Sequence, residues 1–366
     1  MESMRQIQAY INGILSQIEV DAQREAAYRR TYGVAQYCAL LAAQRGLRTE
    51  LAYAAGLLHN AYEYRTGSRM CLGQNGAEMV RVALRKIDLS ADEKILIQSA
   101  IYHHEDKAHV HDEYDEVLKD ADLLQCLPNG AHMQIHESAL PRLENVLKSL
   151  NLPPYEKPQK NSTHDEGDRS AFRRSCMVDT ARTVAGKNVQ GQKNDADFLS
   201  MIRYFPEATA YDEFLYAWCA AFVYHCALEA GLVLPIRHRP NSNTRFACVG
   251  AWLKWGQERG FCFFEKDGFS PLSGDIVIYN NIIPKEKKPE NTPWYDHMGI
   301  VLAVEPFGLK VAEGNVGNGN VAGIVERTRD ETIGCYLRIP DGYLHDGWKY
   351  DYKTGKLRMV DYPGEL

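Results

Sequence analysis

Three residues in one order offer chemistry in this 366-residue chain: a cysteine opening an apolar helix, a histidine opening an apolar strand, and a glutamate at the end of the next strand. The cysteine is Cys219, in Tyr216-Ala217-Trp218-Cys219-Ala220-Ala221-Phe222-Val223. A helix start leaves backbone N–H groups without intrahelical partners, and with the helix dipole these favour a thiolate. The same groups can hold a developing oxyanion. His297 opens His297-Met298-Gly299-Ile300-Val301-Leu302. From a strand end its imidazole can project into a cleft and take the thiol proton. Glu313, followed by Gly314-Asn315, can accept from the second imidazole nitrogen and fix its tautomer, a role open to Asn315 as well. The chemistry this order suggests is nucleophilic attack on an amide carbonyl. Cys226, one helical face beyond Cys219, reads as a buried structural thiol.

A second constellation lies in the first half. His59-Asn60 ends an apolar helix, His103-His104 ends another, and Asp120-Ala121-Asp122 falls on a third.

The elements that must position these groups fall into two sets. Apolar residues recur at helical spacing over Tyr32 to Arg45, Glu50 to Leu58, Gly76 to Lys86, Ser90 to Tyr102 and Glu137 to Leu150. Ser90 with Glu93 three residues on is a capping-box pattern. The polar, proline-containing stretch 151–168 reads as a linker. Beyond it, helices including Ala217 to Ala230 precede short β-like runs at Asp275 to Tyr279, Gly299 to Val304, Leu309 to Ala312 and Tyr336 to Ile339. The expected organisation is an all-α domain over 1–150, a linker at 151–168, an α+β domain over 169–345 and a tail at 346–366. A net charge of -6 argues against a general nucleic-acid surface. Residues 1–20 have no apolar signal-peptide core, no stretch approaches the roughly 20 apolar residues of a membrane helix, and the nine cysteines are scattered singly. A reducing cytoplasmic setting, without membrane or nucleic-acid partners, is the expectation; the spacing says nothing of oligomeric state.

Residues 169 to 343 resemble a CHAP domain, the cysteine- and histidine-dependent amidohydrolase/peptidase family with a papain-like fold. The matching pieces are Trp218-Cys219-Ala220-Ala221-Phe222-Val223, Pro271-Leu272-Ser273-Gly274-Asp275-Ile276-Val277, His297-Met298-Gly299-Ile300-Val301 and Glu313-Gly314-Asn315. The resemblance implies Cys219 as nucleophile, His297 as base, Glu313 as orienter, and Asn315 as a helper near the oxyanion or behind the site. Asp275 becomes scaffold. Some relatives bind calcium near Asp195-Ala196-Asp197, which here reads as a solvated loop.

Residues 20 to 130 resemble an HD domain, through Tyr32-Gly33-Val34, Gly56-Leu57-Leu58, His59-Asn60, His103-His104 and Asp120-Ala121-Asp122. HD enzymes hold a divalent metal with a His, a His-Asp pair and a distant Asp. Here the pair is His59-Asn60, and the first family histidine falls at Arg30 or Thr31, where arginine cannot ligate. His59, Asn60, His103, His104 and Asp122 (or Asp120) are therefore vestigial positions, and no metal or other cofactor is expected. The half is either scaffold or, with Arg30 and Lys107, a phosphate- or nucleotide-sensing pocket.

The function expected is cysteine-dependent hydrolysis of a peptide or amide: a peptidoglycan fragment, an isopeptide or a small amide. The alternatives are a nucleotide- or phosphate-sensing regulator, and an HD phosphohydrolase with an unusual metal set.

Overall fold

Alanine, leucine and glycine fill Thr49–Leu58, so this helix is buried on nearly every side and its neighbours wrap it. The computed structural model describes residues 2–127, 135, 137–155, 171–207, 209–280, 282, 296–345 and 348–359. It divides into two compact units, 1–167 with 350–358, and 168–349 with 359–366.

The first unit is helical: α1 (Glu2–Leu15), α2 (Asp21–Gln44), α3 (Thr49–Leu58), α4 (Ala61–Thr66), α5 (Leu72–Leu84), α6 (Ala91–His103), α7 (Glu113–Leu124) and α8 (Leu140–Ser149). α3 packs against α1, α2, α6 and α7. The capping box expected at Ser90 forms in both directions, Glu93 N to Ser90 Oγ at 3.2 Å and Ser90 N to Glu93 Oε2 at 2.7 Å. Of the expected linker, residues 156–168 lie outside the described ones. Within the segment expected as a tail, Trp348–Asp351 and Lys356–Met359 pair as a two-stranded sheet. Its residues 350–358 group with the helical unit, where Tyr352 meets the Tyr102 ring at 5.4 Å and Lys353 pairs with Asp112 at 2.8 Å.

The second unit opens with α9 (Arg174–Gly186), α10 (Ala196–Ile202), α11 (Ala210–Phe214), α12 (Cys219–Glu229) and α13 (Val249–Glu258). Six strands follow: β1 (Cys262–Phe263), β2 (Ile276–Tyr279), β3 (His297–Glu305), β4 (Gly308–Glu313), β5 (Gly323–Thr328) and β6 (Ile333–Leu337). They form an antiparallel sheet of order β1-β6-β2-β3-β4-β5. The two domains are thus all-α and α+β, the organisation the patterning implied. α12 is buried along almost its whole length and lies on β3 and β4. That approach requires Gly314, because a Cβ there would stand 2.6 Å from Phe222 Cβ and 2.8 Å from the Trp218 ring. Asp275 serves the scaffold, receiving Arg338 Nε at 2.8 Å and Leu272 N at 2.7 Å. β1 and the edge strand β5 were not foreseen; β5 alternates half-buried with exposed residues and passes from Ile324-Val325 straight into polar Glu326-Arg327-Thr328.

Candidate active site

Each of the three residues stands at an element boundary. Cys219 is the first residue of α12, His297 the first of β3 and Glu313 the last of β4. β3 and β4 are antiparallel neighbours, so the start of one and the end of the other share an edge of the sheet, beneath the start of α12. All three side chains are buried. His297 Nε2 lies 2.9 Å from Glu313 Oε2, and the Cys219 sulfur is near enough to the ring to raise its pKa. An ionised carboxylate only accepts, so Glu313 fixes the proton on Nε2 and leaves Nδ1 for the sulfur.

Burial acts against the imidazolium, but the Cys219 sulfur and the Glu313 carboxylate outweigh it, and the His297 pKa is raised to about 10. Burial likewise opposes the Glu313 charge, yet the bonds from His297 and Arg327 hold its pKa below the usual glutamate value. The arrangement favours a protonated His297 ring at neutral pH.

Two further arrangements at this site were not read from the sequence, although Asn315, a member of the second, was singled out there. The first is Arg327, which grips Glu313 with both arms, Nε to Oε1 at 2.9 Å and Nη2 to Oε2. It reaches in from β5, opposite Leu309 and on the face that carries Val311 and Glu313 along β4. Its guanidinium lies 5.3 Å from the centre of the Tyr279 ring, which in turn stacks on His297 at 5.9 Å. The only signal available was a basic residue in a polar, alternating run.

The second is a clamp on the turn before the nucleophile. Tyr216 adopts φ 59°, a left-handed conformation that costs a non-glycine residue about 1–2 kcal/mol. Both of its backbone groups are held by asparagines: Asn315 Nδ2 donates to Tyr216 O at 2.6 Å, and Tyr216 N donates to Asn320 Oδ1 at 3.3 Å. Asn320 also accepts from Trp218 Nε1 at 2.9 Å and donates to Gly191 O at 2.7 Å. Any side chain at Gly191 would collide with it, since a Cβ there would sit 2.0 Å from Asn320 Oδ1. Asn315 and Asn320 are themselves left-handed (φ 55° and 58°), which asparagine tolerates. The Asn315 amide is thus committed to Tyr216 O and to Asn318 Oδ1. Of the two roles implied for it, the place behind the site fits these bonds.

Asp195 and Asp197 make local bonds. Asp195 accepts from Phe198 N at 3.0 Å and Gln190 N at 2.7 Å, and Asp197 pairs with Lys187 at 2.7 Å.

In the helical unit the vestigial positions separate. His59, His104 and Asp122 come together: the two rings meet edge-on at 5.8 Å, and His59 Nε2 is 3.8 Å from Asp122 Oδ1. Arg30 Nη2 reaches Asp122 Oδ1 and Lys107 Nζ reaches Oδ2, each at 2.7 Å. Asn60 is buried in the turn that follows His59. His103 faces elsewhere, bonded to Asp115 at 2.7 Å and stacked on His111 at 3.9 Å, while Asp120 pairs with Arg45 and Arg142. Among the described residues, no group of three or more His, Cys, Asp and Glu could hold a metal ion, and no helix is long and apolar enough to cross a membrane.

With this geometry in view, comparison with known families finds an HD domain at residues 27–127 and a CHAP domain at residues 211–315. No curated protein and no solved structure matches the chain. Cys219, His297, Glu313 and Asn315 fall inside the CHAP match; Asn320 and Arg327 lie beyond its end. The CHAP match supports a hydrolase of the amidase or peptidase kind. The HD match implies a divalent metal, and the residues present do not fit one: the remaining carboxylate is already paired with two cations, and an amide stands at Asn60.

Proposed function

We propose that this protein hydrolyses an amide or peptide bond through an acyl-enzyme on Cys219. The observation that carries the reading is the placing of Cys219, His297 and Glu313 at three element boundaries, with His297 Nε2 2.9 Å from Glu313 Oε2 and its ring beside the Cys219 sulfur. The Cys219 sulfur attacks the substrate carbonyl carbon, forming a C–S bond while the carbonyl π electrons move onto oxygen. That oxyanion meets the unpaired backbone N–H groups at the start of α12. His297 Nδ1 then gives its proton to the leaving nitrogen, the C–N bond breaks, and the amine departs from a thioester. Neutral His297 next takes a proton from water, whose oxygen attacks the thioester. Collapse releases the acid, restores the thiolate and leaves the imidazolium in place.

Glu313 holds the Nε2 proton throughout. Arg327 shares the Glu313 charge, which keeps the imidazolium from being stabilised so far that it no longer gives up its proton. Asn315 and Asn320 are positioning residues that fix the Tyr216 turn and hence the direction of the Cys219 side chain.

The reading is tested with a panel of stem peptides from peptidoglycan, isopeptides and small amides at neutral pH. A productive substrate is expected to leave an acyl mass increment on the peptide containing Cys219, with release of its amine. Amine release without any thioester on Cys219, even in rapid-quench samples, would sink the covalent route.

The clamp makes its own prediction. Asn320→Ala is expected to lower kcat by roughly 10- to 100-fold with little change in KM, because the cost falls on alignment of the attacking atom. Tyr216→Gly, which removes the left-handed penalty, is expected to recover part of kcat in the Asn320→Ala background. Recovery of thermal stability without recovery of kcat would assign Asn320 to packing alone.

A further inference from the structure

We propose that Arg30 and Lys107 take the place of the divalent cation in the helical unit's HD pocket, leaving an ion-pair core that needs no metal. A carboxylate buried as deeply as Asp122 requires positive charge beside it, whatever the source. Here each oxygen has its own cation at 2.7 Å, Arg30 on Oδ1 and Lys107 on Oδ2, so two side chains supply the two charges a divalent metal would bring. Arg30 stands at or beside the position of the family's first histidine, so a cation lies where the resemblance implies a ligand.

The rest of the pocket agrees. Facing groups are Arg30, Lys107, Asp122 and, at 3.3 Å from His104 Nε2, Glu105, which Arg69 also approaches at 3.8 Å; the carboxylates here are already matched by cationic side chains without an added ion. His59 Nδ1 lies 2.7 Å from Gly56 O and His104 Nδ1 2.6 Å from Ile101 O, the bonding that presents Nε2 as a lone pair in metal-binding histidines. His59 is fully buried, and its Nε2 has no hydrogen-bond partner. It is the remnant of a ligand set whose metal position now faces two cations. A metal brought to that lone pair and to Asp122 would meet Arg30 and Lys107 at close range, and Asn60 cannot add the anionic ligand that would offset them. The proposal is independent of the role assigned to Cys219.

The test uses the full chain after treatment with EDTA. Titration with Mn2+, followed by calorimetry and thermal unfolding, is expected to show no saturable site at Asp122 and no change in Tm. The variant Arg30→His/Asn60→Asp/Lys107→Ala, which returns ligands and removes both cations, is expected to bind one Mn2+ and to gain roughly 5 °C or more in Tm at saturation. If that variant does not fold, Arg30→Met and Asp122→Asn decide the matter singly and together. Arg30→Met strands the carboxylate and lowers Tm, and adding Asp122→Asn recovers most of the loss. Three results would each overturn the proposal: stoichiometric Mn2+ binding by the natural sequence that Asp122→Asn abolishes, a folded triple variant that binds none, or simple additivity of the two Tm losses.

Discussion

His297→Ala is expected to lower turnover by roughly 10^4-fold or more while the protein stays folded. On the proposed route two functions disappear together: the counter-charge to a developing sulfur anion, and the proton delivered to the leaving nitrogen. General acid–base catalysis alone is worth about 10^2–10^4-fold, and loss of the thiolate adds to it. The pH dependence separates the two. With the His297 pKa raised to about 10, the imidazolium is present across the neutral range, and alkylation of Cys219 by iodoacetamide is expected to remain fast well below pH 8. In His297→Ala the rate should instead fall tenfold per pH unit below the ordinary thiol pKa of about 8.5. The linkage to stability has a definite sign. A folded-state pKa near 10, above the reference 6.5, gives stability that is complete below pH 6.5 and lost as pH rises through 10. His297→Ala should remove that alkaline slope from a pH series of unfolding curves. Full turnover in a folded His297→Ala protein would contradict the role given to His297.

Glu313→Gln should produce the next largest effect, a fall in kcat of about 10^2–10^4-fold, because an amide can present the wrong group to Nε2 and no longer secures the tautomer. Its carboxylate also balances Arg327, so the change strands a half-buried guanidinium and is expected to cost roughly 3 kcal/mol of stability, less where solvent screens it. Arg327→Met in the same chain relieves that stranded charge. The double variant should therefore be more stable than Glu313→Gln while its turnover stays low. If the losses of stability simply add, Arg327 and Glu313 do not act as a pair, and the place given to Arg327 falls.

How much of this could be read beforehand follows from where each residue sits. Cys219, His297 and Glu313 mark the ends of apolar runs, and a change of element type at a reactive side chain leaves a trace in the pattern. Arg327 leaves none. Its strand is a sheet edge with alternating half-buried and exposed positions, and its link to Glu313 depends on the β4–β5 register, which follows from three-dimensional pairing. Asn320 was hidden in a Gly- and Asn-rich loop, where its residue type is common and its reach to Tyr216, 104 positions away, is invisible. In the helical unit, adjacent residues on a helix point about 100° apart. A doublet such as His103-His104 therefore shows that a histidine is present without showing which one faces inward. The structure turns His104 toward His59 and His103 toward Asp115 and His111. The same geometry divides Asp122, paired with Arg30 and Lys107, from Asp120, paired with Arg45 and Arg142. Cation pairing of Asp122 was likewise hidden, since Arg30 and Lys107 are 92 and 15 residues from it.

The central claim concerns one sulfur among nine cysteines. Several others are buried, and burial pushes the thiols of Cys38 and Cys226 well above the ordinary value, which leaves them unreactive. A limiting amount of a thiol-directed activity probe, applied to the native protein at pH 6 and mapped by peptide mass spectrometry, therefore tests the account most directly. Labelling is expected to fall on Cys219, to vanish in Cys219→Ala, and to drop sharply in His297→Ala. Equal labelling of the native protein and Cys219→Ala would contradict the assignment of Cys219 as the nucleophile.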